Sequence, residues 1–114
     1  MADINNVVLS GRIYDIGVNP TTGKYPVVEA KLEVVVGVNK DNEELCDEFN
    51  IRSYGKRSLF ISTLKEGTFI VVNGKLKEDI RVNAKDPSTT RSKTYINIET
   101  IKTIGMSKGD KVND

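Results

Sequence analysis

Apolar residues recur at every second position through most of this chain, the spacing of strands with one buried face. Over residues 4–14, Val7, Leu9 and Ile13 share one face, while Val8, Ser10, Arg12 and Tyr14 share the other. The segment Asn19-Pro20-Thr21-Thr22-Gly23-Lys24 then has the composition of a turn. Over 27–38 the apolar set is Val28, Ala30, Leu32, Val34, Val36 and Val38, with Glu29, Lys31 and Glu33 opposite. Alternation this regular predicts an antiparallel sheet with one solvated side. After an acidic connection at 39–44, a third strand is predicted over 45–54. Leu45, Phe49 and Ile51 point inward there, and Asn50, Arg52 and Tyr54 outward.

The period changes past Gly55. Leu59, Phe60 and Leu64 make a helical stripe within 56–66, with Ser58 placed to cap its start and Gly67 where a terminating glycine is expected. Inward spacing assigns both Phe49 and Phe60 to the core. A fourth strand is predicted over 68–82, with Ile70, Val72, Leu76, Ile80 and Val82 in one register. Lys75, Lys77 and Arg81 occupy the other register, with Asp79 among them, and Gly74 marks a bend or bulge. A polar loop carrying Lys85 and Arg91 leads to a fifth strand over 93–104, with Ile96 and Ile98 inward and Lys93 and Tyr95 outward. Residues 1–106 read as one domain and 107–114 as a short polar tail. Three strands, a short helix and two strands is the order of the OB-fold. The expected class is therefore all-β, a five-stranded OB-fold barrel with one short helix between strands three and four. Period alone leaves an open five-stranded sheet packed on its helix as the competitor.

Composition narrows the function. The 114 residues are 38% apolar and 29% charged, values of one small globular domain. A core of this size is modest, so oligomerisation is a natural source of further burial. No run approaches the roughly 18 apolar residues of a membrane span. The opening MADINNVV has no basic stretch followed by an apolar run, so no secretory signal and a cytoplasmic location are expected. Cys46 is the single cysteine, which excludes an intramolecular disulfide and suits a reducing compartment.

The absence of histidine excludes a Ser-His-Asp triad, a Cys-His pair and a histidine metal cluster. Ser10, Ser53 and Ser58 thus have no histidine to activate them. Cys46 sits among Glu44, Asp47 and Glu48, carboxylates that blunt a thiol by raising its pKa. The run Asp41-Asn42-Glu43-Glu44-Leu45-Cys46-Asp47-Glu48 lacks the spacing and glycine of a calcium loop. Glycines precede basic residues at Gly11-Arg12, Gly55-Lys56 and Gly74-Lys75, but no phosphate-loop motif is present. No enzyme, metal or cofactor is expected.

Charge adds an asymmetry hidden in the net value of +1. Residues 1–50 carry four Lys/Arg against nine acids, a net of −5, and residues 51–114 carry thirteen against seven, a net of +6. The basic half suits a polyanion, although charge spread for solubility gives the same totals. Within that half a constellation stands out. Arg52 and Tyr54 face outward from strand three, Lys75, Lys77 and Arg81 from strand four, and Lys93 and Tyr95 from strand five. Lys85 and Arg91 lie in the loop between the last two. Exposed tyrosines offer π faces to bases while cations neutralise phosphates, the pairing that sequence-tolerant single-strand binding requires. Lysines on an outward strand face also serve to protect sheet edges, a plainer use of the same residues.

The wording of the chain carries a resemblance. Asn5-Asn6-Val7-Val8-Leu9-Ser10-Gly11-Arg12-Ile13 resembles the opening strand of bacterial and phage single-stranded DNA-binding proteins. A Thr-x-x-Gly-like turn follows at Asn19-Pro20-Thr21-Thr22-Gly23, then the alternating strand Ala30-Lys31-Leu32-Glu33-Val34-Val35-Val36. Phe49-Asn50-Ile51-Arg52-Ser53-Tyr54-Gly55-Lys56 matches a third strand that ends in an aromatic before a basic residue and a helix. Leu64-Lys65-Glu66-Gly67 and Val71-Val72-Asn73-Gly74-Lys75-Leu76-Lys77 match the helix end and the next strand. The resemblance spans about residues 4–104; each motif is short, and their joint order carries it.

What the resemblance implies is an OB-fold that binds single-stranded DNA in replication, recombination and repair as a homo-oligomer, dimer or tetramer, assembled through the first strand. Tyr54 falls at a base-stacking position, Lys56 at a basic contact and Lys77 at a backbone contact. Arg12 and Tyr14 on the first strand's outward face complete the candidate set. The sequence departs from the family in having no tryptophan: Arg81 or a neighbour stands where one is expected in strand four, and Asn39 near another. Each lost stacking contact costs about 1–3 kcal/mol. The sequence ends Lys108-Gly109-Asp110-Lys111-Val112-Asn113-Asp114, so a short member without recruitment of repair enzymes through an acidic tip is expected. An OB-fold RNA binder and a primosome-type protein-interaction module are the alternatives.

Overall fold

Alternating sequence becomes five strands in the computed structural model, which describes residues 2–82, 85–86 and 88–104, with Arg81 described by its backbone only. The elements are β1 (Val7–Asn19), β2 (Val27–Val38), β3 (Glu44–Ser53), α1 (Arg57–Ser62), β4 (Phe69–Val82) and β5 (Thr90–Thr103). They form a closed barrel in the order β1-β2-β3-β5-β4, an all-β barrel of the OB-fold class with its helix between strands three and four. The open-sheet competitor is excluded because the order closes on itself: β4, at its end, pairs back onto β1, leaving no edge strand among the described residues. The first half of β1, Val7 to Arg12, runs against β4, and its second half runs against β2. The other joint is the parallel pairing of β3 with β5, at Ile51↔Ile96 and Arg52↔Asn97.

Closure demands backbone contact closer than side chains allow. A Cβ on Gly11 would lie 2.2 Å from the Glu33 carbonyl oxygen, and one on Gly74 would lie 2.0 Å from the Asn97 carbonyl oxygen. Gly74 also follows a register shift between β4 and β5, the bulge its sequence position predicts. A second irregularity between Tyr14 and Gly17 turns β1 from one neighbour to the other, and Asp15 adopts a left-handed φ of 55° there.

The core is the inward register of every strand: Ile13, Val28, Ala30, Leu32, Ile51, Ile70, Val72, Ile96 and Ile98, with Ile61 of α1 closing it. A helix of six residues has no stability of its own. Burial of Ile61 holds it, together with the Ser58 hydroxyl, which donates to the Ser53 carbonyl at 2.9 Å.

Several expectations are corrected. Phe49 is 36% exposed and Phe60 45% exposed, so neither is core. The helix is shorter than its apolar stripe suggested, and Ile61 rather than Leu59 or Phe60 faces inward. Ser58 is not its cap; Lys56 holds that position without a side-chain hydrogen bond. Gly67 lies beyond the turn that follows α1, where its left-handed φ of 87° lets its N–H reach the Ile13 carbonyl at 2.7 Å. Leu76, Ile80 and Val82 keep the apolar register but are exposed, as is Leu45. Past Gly74 on β4, and past Val34 on β2, the strands pair as hairpins that run beyond the barrel, so alternation there faces no core. The proposed tail at 107–114 lies outside the described residues.

Gly74→Ala is expected to lose about 2–3 kcal/mol of stability in urea unfolding, because its new Cβ meets backbone that no rotamer change relieves. Gly37→Ala, with open space at its Cβ, is the control and stays within about 0.5 kcal/mol.

Candidate nucleic-acid interface

Pairing register decides which outward side chains meet. Across β4 and β5, Lys77 lies opposite Tyr95, Asp79 opposite Lys93 and Arg81 opposite Arg91. Directly paired residues of antiparallel strands share a face. β3 adds Arg52 through its parallel pairing with Asn97, and β2 adds Glu29 opposite Arg52. Tyr54 follows immediately after β3.

Arg52 is the hub, and it is only 9% exposed. Its guanidinium carbon sits 4.0 Å from the centroid of the Tyr95 ring, a close cation–π stack. Nη1 donates to the Tyr54 hydroxyl at 3.2 Å, and Nη2 donates to Asp79 Oδ2 at 3.5 Å. Nε faces Glu29 Oε1 at 3.4 Å without forming a hydrogen bond. Burial works against the Arg52 charge, but the Tyr54 hydroxyl and Glu29 outweigh it and hold the guanidinium above its ordinary pKa. Lys93 Nζ also reaches Glu29, at 4.0 Å. A buried arginine thus locks two tyrosines and two carboxylates into one arrangement. Beside it opens a cleft of about 430 Å³ lined by Glu29, Arg52, Asp79, Arg91, Ser92 and Lys93. A more apolar hollow of about 370 Å³ lies between the β3 and β4–β5 arms, lined by Phe49, Leu76, Tyr95 and Ile96 among others.

Of the residues singled out from sequence, the structure brings Arg52, Tyr54, Lys75, Lys77, Arg91, Lys93 and Tyr95 to this face. Lys56 lies two residues past Tyr54 and is exposed at the start of α1. Lys75 is exposed on β4 with Glu99 at 3.9 Å. Lys85 is exposed in the β4–β5 connection. The Arg81 side chain lies outside the described residues. Arg12 is elsewhere: its guanidinium packs over Phe69, 5.5 Å from the ring centroid, and its Nε is buried without a hydrogen-bond partner among the described residues. Tyr14 pairs with Lys31 on the β1–β2 side, two strands from Arg52. Sequence reading placed Glu29 and Asp79 outward but gave them no part in the site. Their role depends on cross-strand register, which period does not reveal. Cys46 is exposed, and partial desolvation, then Glu33, Glu44 and Asp47, hold its thiol above the ordinary pKa. Among the described residues no three metal-ligating side chains converge, and no helix is long and apolar enough to cross a membrane.

The architecture and this face define an OB-fold barrel with a mixed-charge aromatic platform on β3, β4 and β5. No protein-family profile matches the chain, and no curated protein matches it. Among solved structures it is similar in fold to a Plasmodium falciparum SSB in complex with ssDNA, at a TM-score of 0.75. The two are 17% identical, and the alignment covers 92% of this chain and 98% of that one.

Burial first, and then the adjacent Tyr54 hydroxyl, raise the Tyr95 phenol above its ordinary value of 10.0, while Arg52 pulls it down. A raised value in the folded state means that the unfolded chain loses this proton first. The stabilisation is complete below about pH 10 and is lost as pH rises through the folded value. The urea midpoint, followed by circular dichroism, is expected to fall above that pH, and to fall less steeply in Tyr95→Phe. Equal slopes in the two proteins would exclude this coupling.

Proposed function

We propose that this chain binds single-stranded DNA with little sequence preference overall, without catalysis, in replication, recombination or repair. The observation that carries the reading is the Arg52-centred platform. Tyr95 is pinned by a guanidinium and Tyr54 by a hydrogen bond, with Lys77, Lys93 and Arg91 beside them. Fixed aromatic rings give bases a surface to stack on without ordering new side chains, and the flanking cations neutralise phosphates. The similar Plasmodium SSB, solved with ssDNA, supports the reading. Arg52 contributes by holding the rings, since Nη1 and Nη2 donate to Tyr54 and Asp79 and its charge is paired with Glu29.

The test is a fluorescence-anisotropy titration with labelled oligo-dT and its duplex at low and moderate salt. Salt-sensitive binding to the single strand with little to the duplex is expected; no binding at low salt refutes the reading. Tyr95→Ala and Tyr54→Ala are each expected to weaken binding by about 1–3 kcal/mol. Lys77→Glu is expected to flatten the salt dependence by about 0.7 or more in log–log slope. Unchanged affinity in all three variants removes this face from the function.

We further propose a homo-oligomer assembled through the outer face of β1, where Val8 is 60% exposed beside Ser10. Sedimentation equilibrium decides it: a wild-type mass of two or four chains that falls to one in Val8→Glu supports the face, and a wild-type monomer excludes it.

A further inference from the structure

The cleft beside Arg52 is walled by both signs of charge, more than phosphate neutralisation needs. We propose that it is a base-selective nucleotide subsite, taking a base that bears an exocyclic amine in preference to thymine or uracil. The inference rests on the single-strand reading above and adds one discriminating position to an otherwise tolerant surface.

Size allows it: about 430 Å³ falls within the roughly 300–1,000 Å³ of small-ligand sites. Arg91, Ser92 and Lys93 line the cleft from β5, Asp79 from β4, where it pairs directly with Lys93, and Glu29 and Arg52 from β2 and β3 on the other flank of β5. The carboxylate of Glu29 lies between two cations. Oε1 lies 3.4 Å from Arg52 Nε, and Oε2 lies 4.0 Å from Lys93 Nζ. It is nonetheless 39% exposed, and a carboxylate has about four lone-pair sites, so it accepts further bonds. Asp79, 3.5 Å from Arg52 Nη2 and paired with Lys93 across β4 and β5, adds a second negative group to the cleft.

Arg52 lies beside both acids, but its Nη1 and Nη2 are given to Tyr54 and Asp79, and its Nε sits 3.4 Å from Glu29 without a hydrogen bond. The partly exposed Glu29 carboxylate is therefore the acceptor the cleft offers a base. Cytosine N4, adenine N6 and guanine N2 carry amines that donate to a carboxylate. Where cytosine carries N4–H2, thymine and uracil present the O4 carbonyl, which a carboxylate repels, and keep only N3–H as a donor on that edge. Arg91 and Lys93 meanwhile hold the phosphate of the same nucleotide from β5.

The test compares oligo-dC and oligo-dT of equal length by anisotropy, at mildly alkaline pH so that cytosine strands stay unfolded. Oligo-dC is expected to bind about tenfold more tightly. In Glu29→Gln, whose amide offers a donor as readily as an acceptor, the ratio is expected to collapse to within about twofold. Asp79→Asn, a second near-isosteric change, is expected to reduce it as well. Equal affinity of the wild-type chain for the two strands overturns the subsite and leaves single-strand binding standing. A preference that survives Glu29→Gln overturns the assignment of Glu29. Binding to neither strand overturns both readings.

Discussion

Everything in this molecule depends on β1 being shared. One strand pairs with β4 along its first half and with β2 along its second, and that sharing turns a curled sheet into a barrel without an open seam. The geometry tolerates it only because Gly11 lets the Glu33 carbonyl approach where any side chain would collide. Ile13 stands at the crossover, fully buried, and its backbone bonds to Gly67 and Thr68 tie the start of β4 to the same point. Remove the close approach and β1 must choose one neighbour. The second joint, between β3 and β5, would then have nothing to bring it together.

That second joint is what builds the candidate site. β3 and β5 are far apart in sequence and meet in a short parallel pairing, with Ile51 and Ile96 facing the core. The adjacent position puts Arg52 on the outside beside β5, within stacking distance of Tyr95. Core packing and site geometry are therefore two faces of one contact. Ile51 and Ile96 fix the depth of the strands inside, and Arg52 and Tyr95 inherit that spacing outside. A buried arginine is expensive to hold unless its donors are satisfied. Tyr54 and Asp79 accept from Nη1 and Nη2, Glu29 offsets the charge at 3.4 Å from Nε without a hydrogen bond, and the cost of breaking these contacts keeps the rings in place.

Much of this was legible in the sequence and some was not, for physical reasons. The run from Val28 to Leu32 alternates against a true core, so its period gave both the strand and its buried face. Leu76, Ile80 and Val82 alternate just as regularly, yet face solvent because β4 and β5 continue past the barrel as an arm. Period reports a strand; it does not report whether anything lies beneath it. Leu59 and Phe60 misled for a related reason: in so short a helix only one apolar side chain, Ile61, faces the core. Arg52 and Tyr95 were found because outward aromatic and basic residues can be read one strand at a time. Glu29 and Asp79 were not, since their meaning lies in register between strands. Arg12, which belongs to the same outward set by period, is carried by curvature to a different side of the barrel, over Phe69.

The acids also bear on what kind of polyanion such a face can hold. Duplex DNA hides its base faces and presents about one charge per 1.7 Å of axis. A surface that binds it by charge alone gains from every added cation and loses with every carboxylate. Here Arg52 is neutralised by Glu29 and Asp79, so the hub lends almost nothing to long-range attraction. What it lends is rigidity to Tyr95 and Tyr54, and rings have value only for a ligand whose bases are unstacked and within reach. Acids at the centre thus weaken attraction to a rod of phosphates while preserving affinity for a strand that brings its bases forward. On the proposed function, preference for single strands over duplex comes from the same ion pairs that hold the platform together.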